Sequence, residues 1–198
     1  MPRHLLDGGA CRGDWTRLCL KIWPEASVLC IEPQQSAQTA LERLAQENTP
    51  RVKIKQGLLG AVDQKSVQFA EAGTGGSVLA SKGGSSIRQM YRIDTLVDQG
   101  TTAFDFVKLD LQGYELQALS GFERHLEQCK PLQLELSLLP IVAGAPLIND
   151  VIIYLKRRGF VMYDIEELIR APSDGAVWQI DALFCREDSP LRSQRIWR

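Results

Sequence analysis

The sequence predicts an α/β fold: a doubly wound, mostly parallel sheet with helices on both faces and a terminal antiparallel strand. Three observations carry this. Short apolar runs alternate with stretches of helical period along most of the 198 residues, as βα units require. The first run ends in Asp7 and passes into a glycine turn, Gly8-Gly9-Ala10-Cys11-Arg12-Gly13, which lets backbone approach a ligand and aims helix N–H groups at it. The last two runs, Phe160 to Ile165 and Ala176 to Arg186, are separated only by the turn-rich Arg170 to Gly175, so one of them returns antiparallel.

The elements follow in order. Arg3 to Gly9 reads as the first strand and Asp14 to Trp23 as a helix. Ser27 to Pro33 is an apolar run closed by an acid and a proline, the second strand. Ser36 to Asn48 carries Ala37, Ala40, Leu41, Leu44 and Ala45 on one helical face. Arg51 to Leu59 reads as a third strand. Val67 to Ile87 holds many glycines and serines and reads as an irregular or hairpin insertion, not a crossover helix. A short strand (Arg88 to Ile93) and a short helix (Asp94 to Gln99) come next. Phe104 to Asp110 is a buried-type strand ending in an acid, followed by a helix over Tyr114 to Glu127. Leu132 to Leu136 is a strand, and Ile148 to Arg158 a helix stopped by Gly159. Length and the lack of a linker predict a single domain over 1–198.

Composition narrows the function class. Hydrophobic residues make up 44% and charged residues 24%, as in ordinary globular proteins. A formal net charge of -1 argues against a nucleic acid as the main partner. The 5 cysteines show no Cys-x-x-Cys spacing, so neither a disulfide framework nor a zinc site is expected. No apolar run reaches the roughly 18 residues of a membrane span, and no secretory leader is visible. Reduced thiols and a cytoplasmic location are the simplest reading. The first strand begins almost at Met1; the expectation is either a naturally minimal chain or a missing N-terminal segment.

The candidate site comes from acids at strand ends, where ligands of such sheets bind. Asp7 ends the first strand. Glu32 ends the second and is placed to accept hydrogen bonds from a ribose diol; its bland alternative is a capping acid before Pro33. Asp110 and Glu135 end the next two parallel strands. Carboxylates there can take a proton from a substrate hydroxyl or bind a cation. Lys108 sits inside an apolar strand, so it either reaches the cleft edge or pairs with a carboxylate. Glu115 reads as a partner of this corner or as a first-turn helix acid. The 2 histidines offer no hydrolytic triad, and His125 reads as a surface residue. No phosphate-binding Gly-x-x-x-x-Gly-Lys block and no strict Gly-x-Gly-x-x-Gly is present.

At this point the chain resembles the FkbM-type family of S-adenosylmethionine-dependent methyltransferases. The resemblance rests on Leu6 to Gly13, Ile31-Glu32-Pro33, Ile93 to Leu96, Leu134-Glu135-Leu136, and above all Val107 to Glu115, with Leu119 and Gly121 following. It spans Leu5 to about Glu187. It implies a class I methyltransferase fold with a seven-stranded sheet, S-adenosylmethionine as cofactor, and methyl transfer to a hydroxyl oxygen of a sugar, glycan or other small acceptor. Carried over, Asp7, Gly8, Gly9 and Gly13 would form the turn under the methionine side of the cofactor. Glu32 with Pro33 would hold the ribose, Leu58 would flank the adenine, and Asp110 would sit near the methyl group. Asp110 is the first candidate for the proton-accepting base, Glu135 the second, with Lys108 beside them. This chain has Gln112 where the family often has Glu.

No metal is signalled. The expected partner is a small-molecule or glycan acceptor, with no nucleic acid and no membrane span; a homodimer is one assembly the sequence leaves open. Gly73 to Ser86, Leu138 to Pro146 and Arg170 to Gly175 are the expected acceptor walls. The rival readings are a nicotinamide-dependent oxidoreductase and a non-catalytic binding or scaffold protein on the same fold.

Overall fold

The computed structural model describes residues 1–71, 76–79 and 84–193. Seven strands build the main sheet: β1 (His4–Gly8), β2 (Ser27–Glu32), β3 (Val52–Gln56), β7 (Phe106–Leu109), β8 (Pro131–Ser137), β9 (Phe160–Arg170) and β10 (Val177–Arg186). Their order across the sheet is β3-β2-β1-β7-β8-β10-β9. The neighbours from β3 through to β8 pair parallel. β10 is antiparallel to both β8 and β9. The antiparallel strand is therefore last in sequence but second from the edge in space.

Residue alternation explains the layers. Successive strand residues face opposite sides, and here both sides are apolar, as in sheets covered on both faces. Leu5, Val28, Cys30 and Phe106 pack with Leu41 and Leu44 on one side. There lie α1 (Asp14–Ile22) and α2 (Gln35–Glu47). Leu6, Ile31, Val107 and Leu109 pack into the other core with Leu119, Val151 and Leu155. This side is covered by α3 (Ile93–Asp98), α4 (Glu115–Ser120) and α5 (Ile148–Lys156). From β1 the chain builds outward to β3, then crosses back to β7 on the other flank of β1. The crevice at the carboxyl ends of β1 and β7 is thus the switch point where such sheets bind ligands.

Three expectations change. The predicted strand Arg51 to Leu59 is broken: β3 stops at Gln56, and β4 (Leu58–Leu59) joins β5 (Gln64–Glu71) and β6 (Gly84–Tyr91) in a second sheet of order β4-β6-β5. Gly57 allows the break, because a Cβ there would lie 2.5 Å from the Tyr91 ring and 2.8 Å from the Gln89 carbonyl oxygen. In that second sheet β5 and β6 pair antiparallel, the expected hairpin insertion, and β6 takes in most of the predicted Arg88 to Ile93 strand. Residues 73–75 and 80–83 of the expected Gly73 to Ser86 wall lie outside the described residues.

The predicted helix Tyr114 to Glu127 ends at Ser120. A Cβ on Gly121 would lie 2.1 Å from the Gly60 carbonyl oxygen. The fully buried Asp94 then captures the next backbone, accepting from the N–H groups of Glu123, Arg124 and His125. A carboxylate with three backbone donors competes directly with helical bonding. The third change is β9, which runs on to Arg170 instead of ending at Ile165.

Candidate active site

The carboxyl ends of β1, β2, β7 and β8 open into a cavity of about 420 Å³. Gly9 and Cys11 from the glycine turn, and Ile31 to Gln34 from the end of β2, form one wall. Leu58, Leu59, Phe69 and Val78 make an apolar side. Asp110, Leu111, Gln112, Tyr114 and Glu135 form the opposite wall, with Ile169 and Gln179 at its rim.

The glycine turn is built by close backbone approach. Gly9 has φ +74°, and a Cβ there would lie 1.9 Å from the Asp110 carbonyl oxygen. The N–H groups of Gly9 and Ala10 both donate to the Ile31 carbonyl oxygen, at 2.9 and 3.2 Å. Cys11 takes a positive φ of 46°, and its N–H donates to Glu32 Oε2 at 2.7 Å. The other carboxylate oxygen, Oε1, accepts the Gln34 N–H at 2.9 Å. Burial raises the Glu32 pKa, with the two N–H donors opposing it. Each oxygen accepts one of these hydrogen bonds and has a second lone pair available for a hydroxyl.

The acids at the ends of β7 and β8 form a bridged pair. Gln112 Nε2 donates to Asp110 Oδ1 and to Glu135 Oε2, at 2.9 Å each. Gln179 Nε2 also donates to Glu135 Oε2, at 2.8 Å. Gln112 holds φ +52°, a strained backbone for a residue with a Cβ. The turn is fixed by Glu115 Oε1, which accepts the N–H groups of Leu111 and Gly113 at 2.6 and 3.2 Å. Burial pushes the Glu115 carboxyl up to about 7 against those donors.

Glu135 lies directly across the ladder from Asp181, and Asp181 from Glu167. Burial, then the charges of Asp110, Glu115 and Asp181, push Glu135 up to about 9. Asp181 is raised to about 6, again mainly by burial and then by Asp110. Burial and these neighbouring charges favour the protonated form of Glu135.

Not every expected residue stands on the wall. Asp7 is fully buried: Thr16 Oγ1 donates to its Oδ2 at 2.6 Å, and Lys108 Nζ lies 3.4 Å from its Oδ1. The ladder sets Asp7 directly beside Lys108, so the two neutralise each other below the cleft. Lys108 Nζ also donates to the Gly9 carbonyl oxygen at 2.9 Å and lies 3.5 Å from Asp110 Oδ2. Its carboxylate partners outweigh burial and push it up to about 12. Lys108 is thus a strut from the glycine turn to Asp110, not a wall residue. Gly8 packs against Leu109 and Leu59, and Gly13 against Leu44 of α2. Gly9, Glu32, Pro33, Leu58, Asp110 and Glu135 do line the cavity.

Sequence reasoning passed over Gln112 as a working residue, and Gln179 entirely. The signal for Gln112 was its place between two acids at adjacent strand ends; Gln179 had none, because only the β8–β10 register brings it to Glu135. The expected wall Leu138 to Pro146 does not line the cavity but backs it, since a Cβ on Gly113 would lie 2.8 Å from Ala145. Ile169 and Gln179 flank the expected Arg170 to Gly175 wall. His125, with Nε2 2.9 Å from Asp98 Oδ1, lies away from the site. The cysteines are free thiols, and burial raises Cys19 and Cys30 to about 12. Among the described residues no His/Cys/Asp/Glu group has the arrangement of a metal site, and no helix is long and apolar enough to cross a membrane.

Comparison with known proteins agrees with this fold. The family model described as the methyltransferase FkbM domain matches residues 7–162. No match was found among curated proteins. A crystal structure of methyltransferase FkbM from Methylobacillus flagellatus KT is similar, with a TM-score of 0.59 and 19% identity. The chain aligns over 92% of its length but spans 43% of that protein. Magnesium protoporphyrin IX methyltransferase from Synechocystis PCC 6803, solved with bound SAM, gives a TM-score of 0.52 at 14% identity, covering 92% of this chain and 69% of that one. TrmK from M. capricolum, solved with S-adenosyl-homocysteine, gives 0.55 at 6% identity, covering 93% and 62%.

Proposed function

The chain belongs to the FkbM methyltransferase family, and from that premise we propose that it transfers the methyl group of S-adenosylmethionine to a hydroxyl oxygen of a small-molecule or glycan acceptor. The observation that carries this reading is one cavity holding both the glycine turn with Glu32 and the bridged pair Asp110–Glu135.

The residues fit the cofactor. Gly9 and Cys11 of the glycine turn line the cavity, so a ligand's amino acid portion can lie on the turn. Glu32 retains acceptor capacity for a diol. Ile31, Leu58, Phe69 and Val78 offer an apolar slot for a flat base. S-adenosylmethionine, when bound, supplies an electrophilic methyl group on a positively charged sulfur, and the acidic wall suits that charge.

The protein's share of the chemistry is positioning and proton handling. Holding the acceptor oxygen in line with the methyl group is proximity catalysis. Asp110, partly open to the cavity and steadied by Gln112 and Lys108, takes the hydroxyl proton as general base. Glu135, favoured in its protonated form, donates a hydrogen bond instead of competing for that proton. The order of the two candidate bases therefore favours Asp110 on electrostatic grounds.

Calorimetry tests the reading. S-adenosylhomocysteine should bind and NAD should not; NAD binding alone would favour an oxidoreductase, and binding of neither a scaffold. Asp110→Asn should retain S-adenosylhomocysteine affinity and lose about 100-fold or more in turnover on any hydroxyl acceptor found. Full turnover in that variant would remove Asp110 as the base.

A further inference from the structure

A second cavity, of about 390 Å³, lies at the other end of the sheet, where the parallel strands begin. His4 and Ser27 come from the first residues of β1 and β2, Arg51 from the turn before β3, Lys53 from β3, and Thr101 and Thr102 from the segment before β7. No Asp or Glu lines it.

Arg51, on the turn just before β3, and Lys53, in β3, both line the cavity. The Arg51 guanidinium donates to the Pro24 carbonyl oxygen at 2.7 Å and to Asn48 Oδ1 at 3.3 Å. Both acceptors are neutral, so the group is held in place with its charge uncompensated. Among the described residues neither Arg51 nor Lys53 forms an ion pair. Two acids adjoin this wall in sequence, Asp98 and Asp105, and neither lines it. Asp105 accepts from the N–H groups of Arg3 and His4. Asp98 pairs with Arg124 and His125.

The carbonyl ends of α2 and α3 lie on this side and would oppose an anion, but they are capped. Asn48 Nδ2 donates to the Leu44 carbonyl oxygen and Thr49 Oγ1 to that of Ala45. The N–H groups of Gly100 and Thr101 donate to the carbonyl oxygens of Val97 and Leu96. Lysines on an edge strand such as β3 also serve to discourage strand pairing. That role does not account for a cavity, a clipped arginine and neighbouring hydroxyls.

Two unpaired cations with hydroxyls suit a multiply charged oxyanion. The cavity has the size of a small-molecule site and includes apolar wall at Leu29, Pro50 and Phe104. We propose that it binds the phosphate monoester of a small organic molecule, the phosphate on Arg51 and Lys53 and the organic part against that apolar wall. A pocket with two cations on a chain of net charge -1 favours this over a nucleic acid backbone.

Calorimetry with glucose 6-phosphate, inorganic phosphate and a single-stranded oligonucleotide provides the test. The sugar phosphate should bind more tightly than the other two. Lys53→Glu, at an exposed side chain, should weaken it at least about tenfold, and Lys53→Gln should weaken it in the same direction. Lys65→Glu, at an exposed site on β5, should leave affinity unchanged, as should saturating S-adenosylhomocysteine. The proposal is overturned by no binding, by equal binding in the Lys53 variants, by competition with S-adenosylhomocysteine, or by tighter binding of inorganic phosphate or the oligonucleotide. These outcomes are independent of whether the cleft at the other end transfers a methyl group.

Discussion

Asp110 and Glu135 accept hydrogen bonds from one and the same atom, the side-chain nitrogen of Gln112, at 2.9 Å each. Two carboxyl groups facing each other in a partly buried wall would repel if both were charged. A neutral amide with two N–H donors joins them, and the raised pKa of Glu135 lessens the repulsion by favouring its protonated form. The strained backbone of Gln112, at φ +52°, is consistent with a side chain held in place by this bridge.

Gln112→Glu replaces the bridge with a third acid. Below its own titration the new carboxyl can still donate one hydrogen bond; above it, the wall holds an extra charge and no donor. The variant should be nearly as stable as the parent at pH 5 and clearly less stable at pH 8, by about 1–3 kcal/mol. Thermal unfolding at the two pH values measures this. An equal offset at both would mean that the amide does not mediate between the two acids.

Glu135→Gln should behave in the opposite sense. Folding holds a proton on Glu135 up to about pH 9, whereas the unfolded carboxyl ionises near its ordinary value. The folded pKa is raised, so stability from this group is full below the unfolded pKa and declines as pH rises towards 9. Glutamine mimics the neutral acid and does not titrate. Its melting temperature should exceed the parent's at pH 8 by roughly 2–4 °C and match it near pH 4. A gain that does not depend on pH would contradict the protonated state.

Much of this site was legible from the sequence, for a physical reason. In a parallel sheet the carboxyl ends of strands converge on one crevice, so acids ending apolar runs, such as Glu32, Asp110 and Glu135, had to come together. What was hidden depended on side-chain direction and register. Asp7 ends a strand too, yet the β1–β7 ladder sets it beside Lys108 and buries the pair. Gln179 meets Glu135 through a β8–β10 pairing that no local pattern encodes. The early end of α4 was hidden likewise, since Asp94 takes the backbone of residues 123–125 from a distance in sequence.

That capture predicts a stability effect remote from the cleft. Asp94 is fully buried and also lies 3.2 Å from the Arg92 guanidinium. Asp94→Asn removes the charge and turns one acceptor into a donor facing other donors. The cost should be about 2–4 kcal/mol, as for a broken buried network. Denaturant unfolding should show the loss as a lower midpoint, while S-adenosylhomocysteine affinity below the transition stays at the parent's level. A midpoint within error of the parent's would deny Asp94 its organising role.

The turn at Gly9 gives the sharpest separation of strain from function. Gly9 and Gly144 both hold left-handed backbone, at φ +74° and +78°. An L-residue there costs about 1–2 kcal/mol in either place. The surroundings differ. A Cβ at Gly144 meets nothing within 4 Å, whereas at Gly9 it would lie 1.9 Å from the Asp110 carbonyl oxygen. Gly9→Ala must therefore push the turn away from β7. That movement strains the bond from Lys108 to the Gly9 carbonyl oxygen and the one from the Cys11 N–H to Glu32. Both variants should lose some stability, but only Gly9→Ala should lose cofactor binding, by at least about tenfold in calorimetry with S-adenosylhomocysteine. Equal affinities in the two variants would show that the close approach at Gly9 serves packing alone.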